Sequence, residues 1–107
     1  MMPAVRLGTV DAFPENRGVR VDVGDVRVAV FRIGDKFYAI GDRCSHAEAS
    51  LAEGEVFEGD VECPRHGAEF SLETGDALTL PATQAVPVFD IKVKDGDVLL
   101  VVGEDET

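Results

Sequence analysis

The chain has 107 residues, of which 45% are hydrophobic and 29% are charged, and its formal net charge at pH 7 is −11. This length supports one compact domain over residues 1–107 rather than two, and the composition argues against collagen, coiled coil and disorder. The acidic excess argues against nucleic acid and anionic membranes as partners, because both require a basic surface.

No segment is suited to crossing a membrane. The longest aliphatic run, Val98–Val102, is far shorter than the ~20 residues that a transmembrane helix needs. Residues 1–6 contain no long apolar stretch and no cleavage pattern of a signal peptide. We therefore expect a cytoplasmic protein.

Alternating apolar residues and short Gly/Asp turns predict antiparallel hairpins, because such turns supply the positive φ that two-residue connections need. Three hairpins are predicted: residues 19–23 and 26–30 around Gly24-Asp25, residues 28–33 and 36–40 around Gly34-Asp35, and residues 88–94 and 98–102 around Asp95-Gly96. A weaker hairpin is predicted at Gly59-Asp60, and one helical turn over 47–51. Strands at this spacing, without a long helical period, predict an all-β antiparallel sandwich or small barrel.

The two cysteines and two histidines of the chain fall into two compact pairs, Cys44-Ser45-His46 and Cys63-Pro64-Arg65-His66. Each pair follows a predicted strand and enters a loop, and sixteen residues separate His46 from Cys63. One loop can therefore present a thiolate and an imidazole to the same small bound group. Two such loops at neighbouring tips of a sheet would surround it with two sulfur and two nitrogen ligands.

Several interpretations of this set remain open on the residues alone. A chance grouping of a buried thiol and surface histidines is one, and a Cys44–Cys63 disulfide is another, although it leaves the histidines unexplained. A structural zinc site accepts both ligand types, but zinc fingers usually pair Cys with Cys and His with His. A [2Fe–2S] cluster with both cysteines on one iron and both histidines on the other suits the mixed pairs better.

The two motifs, Cys44-Ser45-His46 and Cys63-Pro64-Arg65-His66-Gly67, resemble the cluster-binding motifs of Rieske proteins, and their spacing and closing glycine resemble those of the small Rieske ferredoxins. The resemblance covers roughly residues 26–102. It implies an antiparallel β sandwich with a small cluster-binding subdomain, here about residues 41–82, at one tip. It also implies one [2Fe–2S] cluster, with Cys44 and Cys63 on the buried iron and His46 and His66 on the exposed iron. The segment 80–82 is similar to the proline-bearing loop that covers the cluster in the family.

The chain departs from the respiratory branch of the family in ways that bear on the reduction potential. It lacks the additional cysteine that each motif of that branch carries for a disulfide. It has Ala68 and Phe70 where that branch has a serine and a tyrosine whose hydroxyls donate to sulfur. Since such donors stabilise the reduced state, their absence predicts a potential near the bottom of the Rieske range, roughly −150 mV.

The resemblance implies a one-electron carrier without its own catalytic site, passing electrons from a flavin reductase to a terminal oxygenase. The chain has no spare histidines for a mononuclear iron and no glycine-rich nucleotide motif. The alternatives are a subunit or donor of a nitrite reductase or of an iron–sulfur assembly system and, from another class, a zinc-stabilised interaction module. Residues 55–107 hold 13 acidic and 3 basic residues, which suggests an acidic surface that steers a basic redox partner.

Overall fold

The computed structural model describes residues 4–24, 26–43, 49–64, 67–79 and 84–101. Within them the protein is all-β, as the sequence predicts, with two short 3-10 turns at Val10–Ala12 and Leu51–Glu53. The strands are β1 (Ala4–Thr9), β2 (Gly18–Val23), β3 (Val26–Ile33), β4 (Lys36–Gly41), β5 (Glu55–Phe57), β6 (Asp60–Glu62), β7 (Glu69–Ser71), β8 (Val88–Lys94) and β9 (Asp97–Val101). A helix long and apolar enough to span a bilayer does not occur in these ranges.

The strands form two antiparallel sheets, as expected for the predicted sandwich. A six-stranded sheet has the order β1-β9-β8-β4-β3-β2, and a three-stranded sheet has the order β5-β6-β7. The three main predicted hairpins are confirmed, since their strands pair in register across two-residue turns: Val23 with Val26, Ile33 with Lys36, and Lys94 with Asp97.

The fourth predicted hairpin was displaced by one residue along the chain. The fourth hairpin turns at Glu58-Gly59 rather than Gly59-Asp60, and Asp60 instead begins β6 opposite Phe57. Both turn residues have positive φ, 53° and 82°, as a type I′ turn requires. The last strand, predicted over 98–102, covers Asp97–Val101, and residue 102 lies outside the described residues.

The helical turn predicted over 47–51 is wrong in position, because residues 49 and 50 are not helical. The observed 3-10 turn covers Leu51–Glu53, and residues 47–48 lie outside the described residues. Its first N–H groups bond to a residue distant in sequence, because Leu51 donates to the carbonyl of Asp42 and Ala52 donates to the Asp42 side chain. A tertiary contact, rather than local propensity, therefore fixes where this turn lies.

Strand β3 is buried on both faces and separates two hydrophobic cores. Val28 and Val30 pack with residues of β4 and β9 in one core, whereas Ala29 and Phe31 belong to the other core. The period of two along the strand sends alternate side chains to opposite faces. The second core also contains Val61 and the β6–β7 region, so it joins the small sheet to the large one.

The small sheet lies in a long insertion between β4 and β8. These two strands pair with each other through Ala39–Phe89 and Ile40–Val88, which brings the ends of segment 42–87 side by side. Both predicted ligand pairs lie in this insertion. The large sheet is thus the support, and the segment between β4 and β8 carries the candidate site.

Candidate metal centre

Of the four predicted ligands, Cys63 is in the described part of the structure. Cys44, His46 and His66 lie outside the described residues, as does the predicted covering loop at 80–82. Among the described residues, no group of three or more metal-binding side chains is brought together. The geometry of the site is therefore built from Cys63 and from the residues that flank the ligand loops.

Cys63 lies immediately after β6, where the chain begins a tight reversal. Its N–H donates to the carbonyl of Ala68 at 2.6 Å, and the N–H of Gly67 donates to the carbonyl of Cys63 at 3.0 Å. The first of these bonds continues the β6–β7 pairing one residue beyond Glu62–Glu69. Gly67 adopts a φ of 78°, a left-handed conformation that favours glycine over other residues.

The Cys63 side chain belongs to the face of the small sheet that packs into the core. The residue is 1% exposed, and Val61, Ala68 and Phe70 are buried with it in the same cluster. Cys63 is a free thiol, so it forms no disulfide. It also lines a cavity of about 200 Å³ together with residues 53–55, 62, 64 and 67.

These features fit one of the four ligands of an iron–sulfur cluster. A thiol held at a strand end, shielded from solvent and bordering a small cavity, is a suitable soft ligand for iron in a cluster. The buried surroundings protect the thiolate, and the backbone bonds at Ala68 and Gly67 fix the loop that carries it.

Three glutamates form a row across the small sheet, close to Cys63. Glu55 pairs with Glu62, and Glu62 pairs with Glu69, so that three carboxylates stand side by side on neighbouring strands. Like charges directly opposite each other destabilise a sheet. The sequence predicts an acidic region but not this row, because the alignment of the three glutamates depends on strand register.

A buried carboxylate at the end of β4 is a second feature that the sequence analysis missed. Asp42 is 0% exposed and is hydrogen bonded to residues 50–52, on the far side of the first ligand loop. Its only sequence signal is its position two residues before Cys44.

The Rieske [2Fe-2S] domain family matches residues 4–90 of the chain. The match covers most of the chain and includes both predicted ligand pairs. The chain therefore belongs to the Rieske [2Fe-2S] domain family and binds one [2Fe–2S] cluster. This confirms the predicted cofactor over the zinc alternative.

Relatives extend the match to small electron-transfer proteins. The chain is 47% identical over 89 residues to the 3-phenylpropionate/cinnamic acid dioxygenase ferredoxin subunit of Escherichia coli K12, covering 81% of this chain and 82% of that protein. Since the relatives are named as ferredoxin subunits, the chain is an electron-transfer component and not a catalytic subunit, as predicted.

Solved structures agree with this placement. The ferredoxin of carbazole 1,9a-dioxygenase from Nocardioides aromaticivorans IC177 has a TM-score of 0.89 and 35% identity, covering 94% of this chain and 98% of that one. A complex of reduced oxygenase and oxidized ferredoxin in carbazole 1,9a-dioxygenase has a TM-score of 0.86 and 36% identity, and the match covers 92% of each chain. The putative NADH-dependent nitrite reductase small subunit of Mycobacterium tuberculosis has a TM-score of 0.88 and 25% identity. The match covers 98% of this chain and 99% of that one.

Proposed function

We propose that this protein carries single electrons from a flavin reductase to the terminal oxygenase of a ring-hydroxylating dioxygenase. The observation that carries the proposal is the placement of Cys63, a free thiol buried beside a cavity just after β6 in a Rieske domain. The bound cluster supplies the one-electron chemistry. The protein supplies the ligands, the shielding and the docking surface.

We propose Cys44 and Cys63 as ligands of the inner iron and His46 and His66 as ligands of the outer iron. The buried position of Cys63 supports the inner assignment. Two thiolates and two neutral imidazoles bring less negative charge to the site than four thiolates, so an added electron meets less repulsion. Each imidazole keeps a second ring nitrogen that is available to face a partner. The cluster-binding region is then about 41–82, within the insertion between β4 and β8.

The ligand assignment is tested with His46→Ala and His66→Ala. Each variant should lose the Rieske-type electron paramagnetic resonance signal of the reduced protein, because a histidine-ligated iron gives that signal its character. Glu73→Ala, at an exposed position in the same insertion, is the control and should retain the signal. A histidine variant that keeps the wild-type signal removes that residue from the ligand set.

The identity of the oxygenase as electron acceptor is supported by the carbazole dioxygenase complex, whose ferredoxin is 36% identical to this chain. The acidic row Glu55–Glu62–Glu69 lies beside the Cys63 loop and would attract a partner with a basic surface. The flavin reductase as donor is a further part of the proposal and has its own test. We also place the carrier in the cytoplasm, where reducing conditions keep cysteines such as Cys63 from forming disulfides and leave them available as cluster ligands.

Electron transfer distinguishes the possible users. The protein, reduced by a flavin reductase of a dioxygenase system, should transfer electrons rapidly to an oxygenase component in stopped-flow mixing. It should transfer them much more slowly to a nitrite reductase catalytic subunit. The reverse order of rates would favour the nitrite reductase alternative, which the 25% identical small subunit represents. Failure of the reductase to reduce the protein would contradict the proposed donor.

A further inference from the structure

Asp42 joins the two ends of the first ligand loop. Its Oδ1 atom accepts hydrogen bonds from Ser50 Oγ at 2.7 Å and from the N–H of Ala52 at 3.0 Å. Its carbonyl accepts the N–H of Leu51 at 2.6 Å. The segment between these contacts, residues 43–49, carries Cys44 and His46. One side chain therefore holds the entry and the exit of this loop together.

The charge of Asp42 is not needed for these hydrogen bonds. Among the described residues, Asp42 is the only buried side chain that is polar or charged, at 0% exposure. Its Oδ2 atom is buried and has no hydrogen-bond partner in the described part of the chain. An asparagine would offer the same Oδ1 acceptor to Ser50 and Ala52 without burying a charge, which is unfavourable.

Arg27 offsets this charge only in part. The Arg27 Nη2 atom lies 3.7 Å from Asp42 Oδ2, and the Arg27 side chain is 42% exposed. The backbone of the two residues is also linked, because the N–H of Asp42 donates to the carbonyl of Arg27 at 3.0 Å. Solvent weakens the field of the exposed guanidinium more than that of the buried carboxylate, so negative potential persists inside the protein.

We propose that Asp42 is a positioning residue that fixes the first ligand loop and whose buried charge lowers the reduction potential of the bound cluster. This rests on the proposed ligands Cys44 and His46. The Cα atoms of residues 42 and 44 are at most about 7.6 Å apart, because two peptide units separate them. A negative charge at this range opposes the gain of an electron. At roughly 10 Å and an effective dielectric constant of about 20, it changes the equilibrium constant for reduction about tenfold.

The test separates charge from hydrogen bonding with four variants of the cluster-containing protein. Asp42→Asn keeps the Oδ1 acceptor and removes the charge. Ser50→Ala keeps the charge and removes one hydrogen bond. Arg27→Gln removes the partial counter-charge. Asp35→Asn is the matched control, because Asp35 is exposed and lies at the opposite end of β4, about 20 Å away along the strand.

The readouts are the reduction potential and the rate of cluster loss, with the reduced-state resonance signal recorded for every variant. Asp42→Asn should raise the equilibrium constant for reduction about tenfold, or about 59 mV for one electron, and Asp35→Asn should leave it unchanged. Arg27→Gln should lower the equilibrium constant for reduction. Ser50→Ala should accelerate cluster loss and leave the potential unchanged.

Two results overturn the proposal: an Asp42→Asn shift no larger than that of Asp35→Asn, or shifts of the same sign in Asp42→Asn and Arg27→Gln. If Asp42→Asn does not fold, Arg27→Gln still tests the proposal, since an unchanged or higher reduction potential in that variant refutes it. A wild-type protein without the Rieske signal would instead refute the proposed function.

Discussion

Substitution of Ala68 by serine tests why this chain is expected to have a low reduction potential. Cys63 and Ala68 lie opposite each other where the β6–β7 pairing continues, joined by the 2.6 Å bond from the Cys63 N–H to the Ala68 carbonyl. Both side chains are buried in the same core. Cross-strand neighbours have Cβ atoms about 4.5–5.5 Å apart, so a hydroxyl at position 68 is within reach of the Cys63 sulfur.

The size of the effect follows from the energy of such a bond. A hydrogen bond to a charged acceptor contributes about 1.5–3 kcal/mol. If a third to a half of it is gained only on reduction, the reduced state is stabilised by about 1 kcal/mol. Because 1.4 kcal/mol corresponds to a factor of ten, and a factor of ten to 59 mV for one electron, the potential should rise by about 40 mV.

The assay is a spectroelectrochemical titration of wild type, Ala68→Ser and the control Ala39→Ser. Ala39 is also buried, at 1% exposure, but it belongs to the other core. The wild-type reduction potential should be roughly −150 mV, near the bottom of the range of Rieske proteins. A shift in Ala68→Ser no larger than that of Ala39→Ser, or a wild-type potential well above zero, would refute the explanation by absent donors.

Three further outcomes are expected. Gly67→Ala and Gly59→Ala both place alanine at a φ near 80° (78° and 82°), at a cost of about 1–2 kcal/mol in urea unfolding. At Gly67 the new Cβ also lies 3.1 Å from a Glu62 carboxylate oxygen, whereas at Gly59 it contacts nothing within 4 Å. Gly67→Ala should therefore be less stable than Gly59→Ala and lose its cluster faster. Equal stability and equal rates of cluster loss in the two variants would contradict this. Glu62→Gln should stabilise the protein by about 0.5–1 kcal/mol, because it removes the central charge of the three glutamates, whereas Glu73→Gln should not. A Glu62→Gln variant less stable than wild type would refute the repulsion between these glutamates. With a net charge of −11, electron transfer to the oxygenase should slow as salt rises, and a salt-independent rate would contradict electrostatic steering.

The hairpins were predictable because each is a local structure. Gly24, Gly34 and the pair Asp95-Gly96 adopt positive φ where two apolar segments are separated by two residues, so turn geometry alone sets the register. The turn at Glu58-Gly59 was displaced by one residue because a non-glycine residue, Glu58, takes the first left-handed position. Sequence rules assign that position poorly when the flanking strands are only three residues long.

The sequence by itself predicted the chemistry of the site, since its few cysteines and histidines occur as two mixed pairs whose spacing is typical of Rieske proteins. The tertiary structure decided what surrounds that chemistry. Pairing of β4 with β8 closes the insertion, strand register aligns Glu55 with Glu62 and Glu69, and folding buries Asp42 against residues 50–52. These contacts join residues that are distant in sequence, and their energies depend on burial and register that only the assembled fold defines.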